Sequence, residues 1–443
     1  MRGLSLLPAV SVIALRGGTL IDGTGAPPVP NSLLVIADGR IVSVGVATPE
    51  ALAKLPPGAQ VITAERKWIV PGLIDAHVHA ESDEDLKTML NWGVTSVRLM
   101  AEDVASAQKL AVASRDRKDI PAVFPAAPIF TVRGGWWGQD EPPDANLNRF
   151  PPTPDEARRS VRRARELGAA EIKIMLDDMA WCRAPLPALP KTSPEVLRAL
   201  LDEAKTQGLR SIVHAPNLED AKAAIAGGAT ALAHGVLEPI DDATIAAMKA
   251  GPVFYVPTMD IFEFLADTHA FLWRTLGKPR RPVAGGEDVV ILNPRFDDWL
   301  QPKTLERYRS DAYAADYRKR FPNFENVQRR LPALSENIRK LHAAGVPVAL
   351  GTDMWALPGA AVSVEMDLYV AAGLTPLEAL RAATQTAAKS IGAANDRGAL
   401  EPGKRADFVV LLEDPLGPSS VRNIDGVWKA GARVAPMQQR RGP

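Results

Sequence analysis

From Val70 onward the chain alternates strand-like apolar runs with capped helical stretches, and this alternation narrows the available folds more than any other feature. The runs fall at 69–77, 95–100, 122–130, 171–176, 210–214, 230–234, 253–257 and 347–352. Between them the period is helical. Thr153-Pro154-Asp155-Glu156 reads as a capping box with proline in the first turn, Ala157, Val161, Ala164 and Leu167 share one apolar face, and Gly168 ends the helix. Strands alternating with helices over 69–399 predict an α/β fold, a (β/α)8 TIM barrel whose site lies where the strands end at their carboxyl edge. The head and tail read differently. Runs at 19–21, 32–36 and 40–44, the last two joined by Asp38-Gly39, predict a hairpin, and further strands follow at 407–412 and 426–431. Residues 1–68 and 400–443 are expected to pair into one small composite β-sandwich domain, with the barrel inserted between them.

Composition excludes several kinds of partner and site. Lys+Arg 52 balances Asp+Glu 52 without a basic block, which removes the main electrostatic argument for nucleic-acid or anionic-membrane binding. The single cysteine, Cys182, rules out an internal disulfide and any thiolate-built zinc or iron–sulfur site, so a metal site has to be built on histidine. No window is apolar for long enough to span a bilayer. The start of the chain supports two readings. Arg2 followed by the apolar run Leu4 to Leu15 resembles a short export signal, and it equally reads as the lead-in to a first strand of a cytoplasmic protein, the reading we favour. Two segments exceed ordinary strand-to-helix connections, 131–152 and 258–332. The second is rich in aromatics, including Phe262, Phe264, Phe271, Trp273, Trp299, Tyr308, Tyr313, Tyr317 and Phe321. Loops on this barrel face either shape a pocket for a small-molecule substrate, or form an oligomer contact or a small satellite core under these aromatics, and together with the neutral charge they fit a homo-oligomer.

The chemistry-bearing residues gather at the strand ends. His77, His79, His214 and His234 lie there, and Asp353 directly follows the last run. In His77-Val78-His79 the two imidazoles stand at i and i+2, so on a strand both face the barrel mouth and can hold one ion at about 2.1 Å. Lys173 sits between Ile172 and Ile174 on the fourth run. A lysine there ordinarily snorkels at an edge. At a barrel mouth lined with histidines it can instead add carbon dioxide when neutral, giving a carbamate whose two oxygens and one negative charge suit bridging two metals. Deprotonating an ordinary lysine at pH 7 costs roughly 4.6 kcal/mol, which burial and metal coordination can offset.

These residues occur within motifs that resemble the amidohydrolase superfamily, particularly its imidazolonepropionase-like and prolidase-like branch. The motifs are Val70-Pro71-Gly72-Leu73-Ile74-Asp75-Ala76-His77-Val78-His79, Ile172-Lys173-Ile174-Met175, Val213-His214-Ala215, Ala233-His234-Gly235, Leu350-Gly351-Thr352-Asp353 and a tail running from Gly373-Leu374-Thr375-Pro376 to Ala406-Asp407. The resemblance covers nearly the whole chain. It implies a binuclear centre of two divalent ions, Zn2+ by expectation. His77, His79 and Asp353 would hold the more buried ion, His214 and His234 the other, and N6-carboxylysine at Lys173 would lie between them. The substrate side departs from the pattern. Prolidase-like members tend to carry a histidine after Gly-Gly where this chain reads Arg133-Gly134-Gly135-Trp136-Trp137, and relatives often place a histidine before a glutamate where this chain has Val364-Glu365. Arg133, Trp136, Tyr255 and Trp355 are the candidate substrate residues.

The expected activity is metal-dependent hydrolysis of an amide bond in an N-acyl amino acid, dipeptide or cyclic amide. A metal-bridging hydroxide attacks, formed from water whose pKa falls from about 15.7 toward about 7, and Asp353 moves the proton to the leaving nitrogen. Hydrolysis of a phosphotriester or lactone is the alternative, because the same nucleophile attacks those centres. A metal-free interaction protein is disfavoured, since such descendants usually lose ligands and this chain keeps every one.

Overall fold

The computed structural model describes residues 12–434 except 81, 102, 139–146, 267–309, 311, 313, 314, 317, 318, 320, 356 and 418–420. The expectations for Phe271, Trp273, Trp299, Tyr308, Tyr313, Tyr317 and residues 1–11 therefore fall outside the described residues.

Asp38-Gly39 makes the hairpin its sequence predicts. Strand Ser32–Ala37 turns into Arg40–Val46 with φ of 49° at Asp38 and 73° at Gly39, the left-handed pair that a two-residue turn matching strand twist requires. This hairpin continues through Val12–Arg16 to Gln60–Thr63. A second sheet joins the head of the chain to its tail, because Phe408–Leu411 runs antiparallel to Trp68–Pro71 and is flanked by Ile424–Lys429. The two sheets share one core. Leu15, Leu34 and Ile36 from the first meet Ile69, Phe408 and Trp428 from the second, with Phe408 and Trp428 stacked at 4.9 Å.

The run 69–77 was expected to be one strand, and the structure divides it at Gly72. Trp68–Pro71 belongs to the head-and-tail sheet, whereas Leu73–Val78 begins a parallel sheet. Gly72 is where the chain passes between them, and its amide donates to Asp407 O at 2.9 Å. A Cβ at this position would lie 2.1 Å from Thr95 Oγ1, so the passage requires glycine for close approach. Gly72→Ala is expected to cost about 1–3 kcal/mol through overpacking, read as a lower urea midpoint at unchanged slope. Adding Thr95→Ala should recover part of the loss. An unchanged midpoint in the single variant would remove the close-packing account.

Two parallel sheets carry the site, one of Leu73–Val78, Val94–Met100 and Ala122–Ala126, the other of Ile129–Phe130, Glu171–Met175, Arg210–His214, Ala231–Ala233 and Phe254–Val256. The expected eighth strand, 347–352, is not a regular strand. It is hydrogen-bonded on both sides, through Tyr255 N to Pro347 O and Ala349 N to Tyr255 O at 2.9 Å, and through Ala76 N to Leu350 O at 2.9 Å. Side chains follow strand parity. Ile172 and Ile174 pack outward with the helix-facing core, while Met175 turns to an inner layer with Ile74, Met100, Ile212 and Val256. Helix Pro154–Glu166 starts where its cap predicted, with Thr153 Oγ1 accepting from Glu156 N at 3.3 Å. The reciprocal half of the box differs: Glu156 Oε1 meets the Thr153 hydroxyl at 3.5 Å, and Oε2 takes Asn148 Nδ2 at 3.1 Å. No helix among the described residues is long and apolar enough to cross a membrane.

Candidate metal centre

Strand ends and the turns that follow them bring the sequence-derived ligand residues to one cavity of about 650 Å³, which His77, His79, Lys173, His214, His234 and Asp353 all line. His77, His79 and Asp353 form the tightest group, each offering a ligand atom within 4.8 Å of the others. Asp353 Oδ1 stands 3.5 Å from His77 Nε2 and 3.1 Å from His79 Nε2, and Oδ2 is 3.8 Å from His234 Nδ1. The second histidine pair lies beside the first. His234 packs its ring 4.8 Å from that of His77 and 4.1 Å from that of His214.

Asp75, which the sequence reading did not single out, holds this arrangement from beneath. It is buried and accepts from His77 N at 3.1 Å, Thr352 N at 3.0 Å and Thr352 Oγ1 at 2.7 Å, which ties the histidine strand to the residue before Asp353. The Asp353 amide completes the tie by donating to His77 O at 2.8 Å. Several non-glycine residues around the cavity adopt left-handed backbone: Trp137, Met179, His234, Thr258 and Asp353, with φ between 46° and 70°. Such positions cost about 1–3 kcal/mol each and are typical of functional sites, where the surrounding structure holds them.

The electrostatics suit cation binding. Burial pushes His77 and His234 well below the usual imidazole range and lowers His214 as well, which favours the neutral rings that coordinate metals. Lys173 is 2% exposed, its ammonium nitrogen has no hydrogen-bond partner, and burial brings its pKa down to about 7. His77 Nδ1 is likewise buried without a partner. A buried lysine beside three buried histidines, with no acceptor for its protons, is a costly arrangement for an isolated protein. It fits a site completed by cations and an added anionic group on the lysine, so the residues present fit the divalent metal centre.

The candidate substrate residues separate. Trp136 and Trp355 line the cavity. Arg133 is exposed and places its guanidinium over the Phe150 ring at 5.0 Å, outside the lining. Tyr255 is fully buried and does not line the cavity; its hydroxyl accepts from Val236 N at 2.8 Å. Parity explains this, because its neighbours Phe254 and Val256 take the inward face and Tyr255 joins the helix-facing core. The sequence reading placed Trp136, Phe262 and Phe321 on pocket-shaping segments and gave no role to Trp137 and Trp181, which complete the wall. Trp137 stacks on His79 with ring centroids 4.9 Å apart, Trp181 and Phe262 pack at 5.5 Å, and Trp136 meets Phe321 edge-on at 5.9 Å. Glu365, where relatives place a histidine before it, is buried and accepts from Met259 N and Asp260 N at 2.9 and 2.8 Å. It thereby anchors the start of the helix Met259–Ala266, which presents Phe262 to the cavity.

A profile described as "Amidohydrolase family" matches residues 68–434. The ochratoxinase of Aspergillus niger is 27% identical over an alignment that covers 95% of this chain and 86% of that protein. An imidazolonepropionase of Stenotrophomonas maltophilia is 27% identical over 56% of this chain and 68% of its own length. Among solved structures, a Xaa-Pro dipeptidase with methionine bound in its active site superposes with a TM-score of 0.73 at 21% identity, covering 96% of this chain and 99% of that one. That last likeness is one of fold.

Proposed function

We propose, starting from the fact that this chain belongs to the amidohydrolase family, that it is a binuclear metal-dependent hydrolase of amide bonds in small acylated amino acids, dipeptides or cyclic amides. Membership makes the chain an enzyme, a hydrolase of carbon–nitrogen bonds, and implies a TIM barrel with an extra domain. We take the two parallel sheets and the segment 347–352 as one eight-stranded ring, in which Ala122–Ala126 and Ile129–Phe130 are the two pieces of one strand, with residues 69–399 as the barrel and the head and tail as the extra domain.

The observation that carries the reading is the convergence of His77, His79 and Asp353 beside a buried, unpartnered Lys173. His77, His79 and Asp353 would hold one divalent ion, His214 and His234 the other, and carboxylated Lys173 would bridge them. When bound, the ions supply a water acidified to near neutrality and polarise the scissile carbonyl. The protein's own part is proton movement and shape. Asp353, its Oδ1 beside two imidazoles and Oδ2 turned toward His234, is placed to accept a proton at the metal edge and return it to the departing nitrogen. The wall built from Trp136, Trp137, Trp181, Phe262 and Phe321 excludes water and favours a substrate with a large apolar or aromatic group. The ochratoxinase relative, similar over nearly the whole chain, supports a hydrolase reading of this site.

Stripping the protein with a chelator is expected to abolish hydrolysis, and Zn2+ to restore it with about two ions per chain by elemental analysis. Full activity in verified metal-free protein would overturn the metal requirement. The same protein assayed on N-acyl aromatic amino acids, Xaa-Pro dipeptides, lactones and phosphotriesters should turn over amides best; a preference for lactones or phosphotriesters would overturn the amide reading.

A further inference from the structure

We propose that Asp177 is a positioning residue that fixes which ring nitrogen of His214 faces the cavity, and that it ties this choice to the aromatic wall through Trp181. The inference rests on reading His214 as a ligand of the second ion. Asp177 lies just past the strand Glu171–Met175 that carries Lys173, and His214 ends the neighbouring strand Arg210–His214, with Met175 paired to His214 in the ladder. The Asp177 side chain has no exposed surface and is met by donors on both oxygens. Oδ2 lies 3.0 Å from Trp181 Nε1 and 3.0 Å from His214 Nε2. Oδ1 accepts from Met179 N at 2.8 Å and Asn217 Nδ2 at 3.3 Å.

The chemistry of these partners leaves one consistent assignment. Indole Nε1, a backbone amide and an amide NH2 can only donate, so the Asp177 group acts as an acceptor-only carboxylate. Facing such an oxygen, His214 Nε2 must carry the proton. A neutral ring then has its lone pair on Nδ1, the nitrogen left available to an ion. His234 has a different partner, its Nδ1 lying 2.9 Å from Thr258 Oγ1, a hydroxyl that donates or accepts and so imposes no tautomer of its own. Trp181, held by the same Asp177 oxygen, lines the cavity and packs on Phe262. One buried carboxylate therefore sets a metal ligand and part of the substrate wall together.

The test uses the full chain, metal-stripped and then titrated with Zn2+ against a chromophoric chelator, with long-range 1H–15N spectra of the metal-free protein reporting the His214 tautomer. In wild type the proton should sit on Nε2 and two ions should bind. Asp177→Asn would turn an NH2 group toward two donors, so the second ion should bind about ten- to hundredfold more weakly while the first is retained. Trp181→Phe removes one donor and leaves the carboxylate facing His214, so it should keep the tautomer and both ions. Two wild-type-strength ions in Asp177→Asn, or a wild-type proton on Nδ1, would overturn the assignment. If Asp177→Asn does not fold, the wild-type tautomer decides alone. A wild-type chain that takes up only one ion overturns the binuclear reading and with it the metal role given to Asp177, and the tautomer in the same spectra tells the two failures apart.

Discussion

Lys173→Ala is expected to bind metal poorly and to lose several orders of magnitude in turnover, with partial recovery in added formate or acetate. The reason is electrostatic. Two divalent ions a few ångströms apart repel, and an ammonium between them would add to that repulsion, so this position requires a bridging anion. The strand supplies the geometry. Lys173 pairs with Ile129 in the ladder, its amide donates to Pro128 O at 3.0 Å, and parity sends its side chain inward while Ile172 and Ile174 pack against the helices. Burial that lowers its pKa to about 7 makes the neutral amine accessible, which is the form that adds carbon dioxide. In the proposed centre alanine would empty the place of the bridging group, which a small carboxylate could then enter. Lys173→Arg should show no rescue, because arginine stays protonated and fills the gap with a positive charge. Elemental analysis and circular dichroism separate lost metal from lost fold. A folded Lys173→Ala protein that keeps both ions and near-normal turnover without added carboxylate would end the bridging role, as would a free amine pointing away from two bound ions in an active crystal.

How much of this was legible in the sequence depends on the range of the interaction involved. The residues proposed as ligands could be placed at the cavity because strand parity and strand ends are local: His214 closes Arg210–His214, His234 follows Ala231–Ala233, and Lys173 alternates with two isoleucines. Their meeting at one cavity follows from the parallel order of the strands, which the strand–helix alternation already implied. The split at Gly72 was not readable, since it depends on Thr95 occupying the place a side chain would take, a contact across two strands. Tyr255 was misplaced by overlooking parity, which Phe254 and Val256 on either side could have supplied. Asp75 and Asp177 were missed for a different reason. Both read as ordinary polar residues near a strand terminus, and only the folded chain shows them buried under His77 and His214. For Asp177, a carboxylate just past a candidate ligand strand is the signal that would have found it, because ligating imidazoles usually donate their second nitrogen to such a group; Asp75 instead takes the backbone amide of His77, which no sequence pattern announces. The aromatic wall was readable in composition and not in position, since its members come from separate loops and helices.

Asp353→Asn is expected to slow amide hydrolysis by about 10²–10⁴-fold even where metal content is preserved. Asparagine keeps an oxygen that can coordinate, and it cannot take up a proton or give one back. The site leaves no obvious substitute. His77 Nε2 and His79 Nε2 crowd one Asp353 oxygen at 3.5 and 3.1 Å, and the His234 nitrogen nearest the other oxygen already meets Thr258. Backbone strain argues the same way. Asp353 is held at φ 56° by the hydrogen bond its amide donates to His77 O, and that conformation turns its side chain toward both histidine pairs at a cost the fold would not otherwise carry. The size of the loss should depend on the leaving group. An amide nitrogen departs poorly unless protonated, whereas an activated ester leaves as a stable anion, so Asp353→Asn should be hurt far more on an anilide than on the matching nitrophenyl ester. The comparison needs rates on both substrates with zinc measured in the same samples. Equal losses on the two would place Asp353 in metal binding alone, and an Asp353→Asn enzyme within tenfold of wild type on the anilide would remove its proton-transfer role altogether.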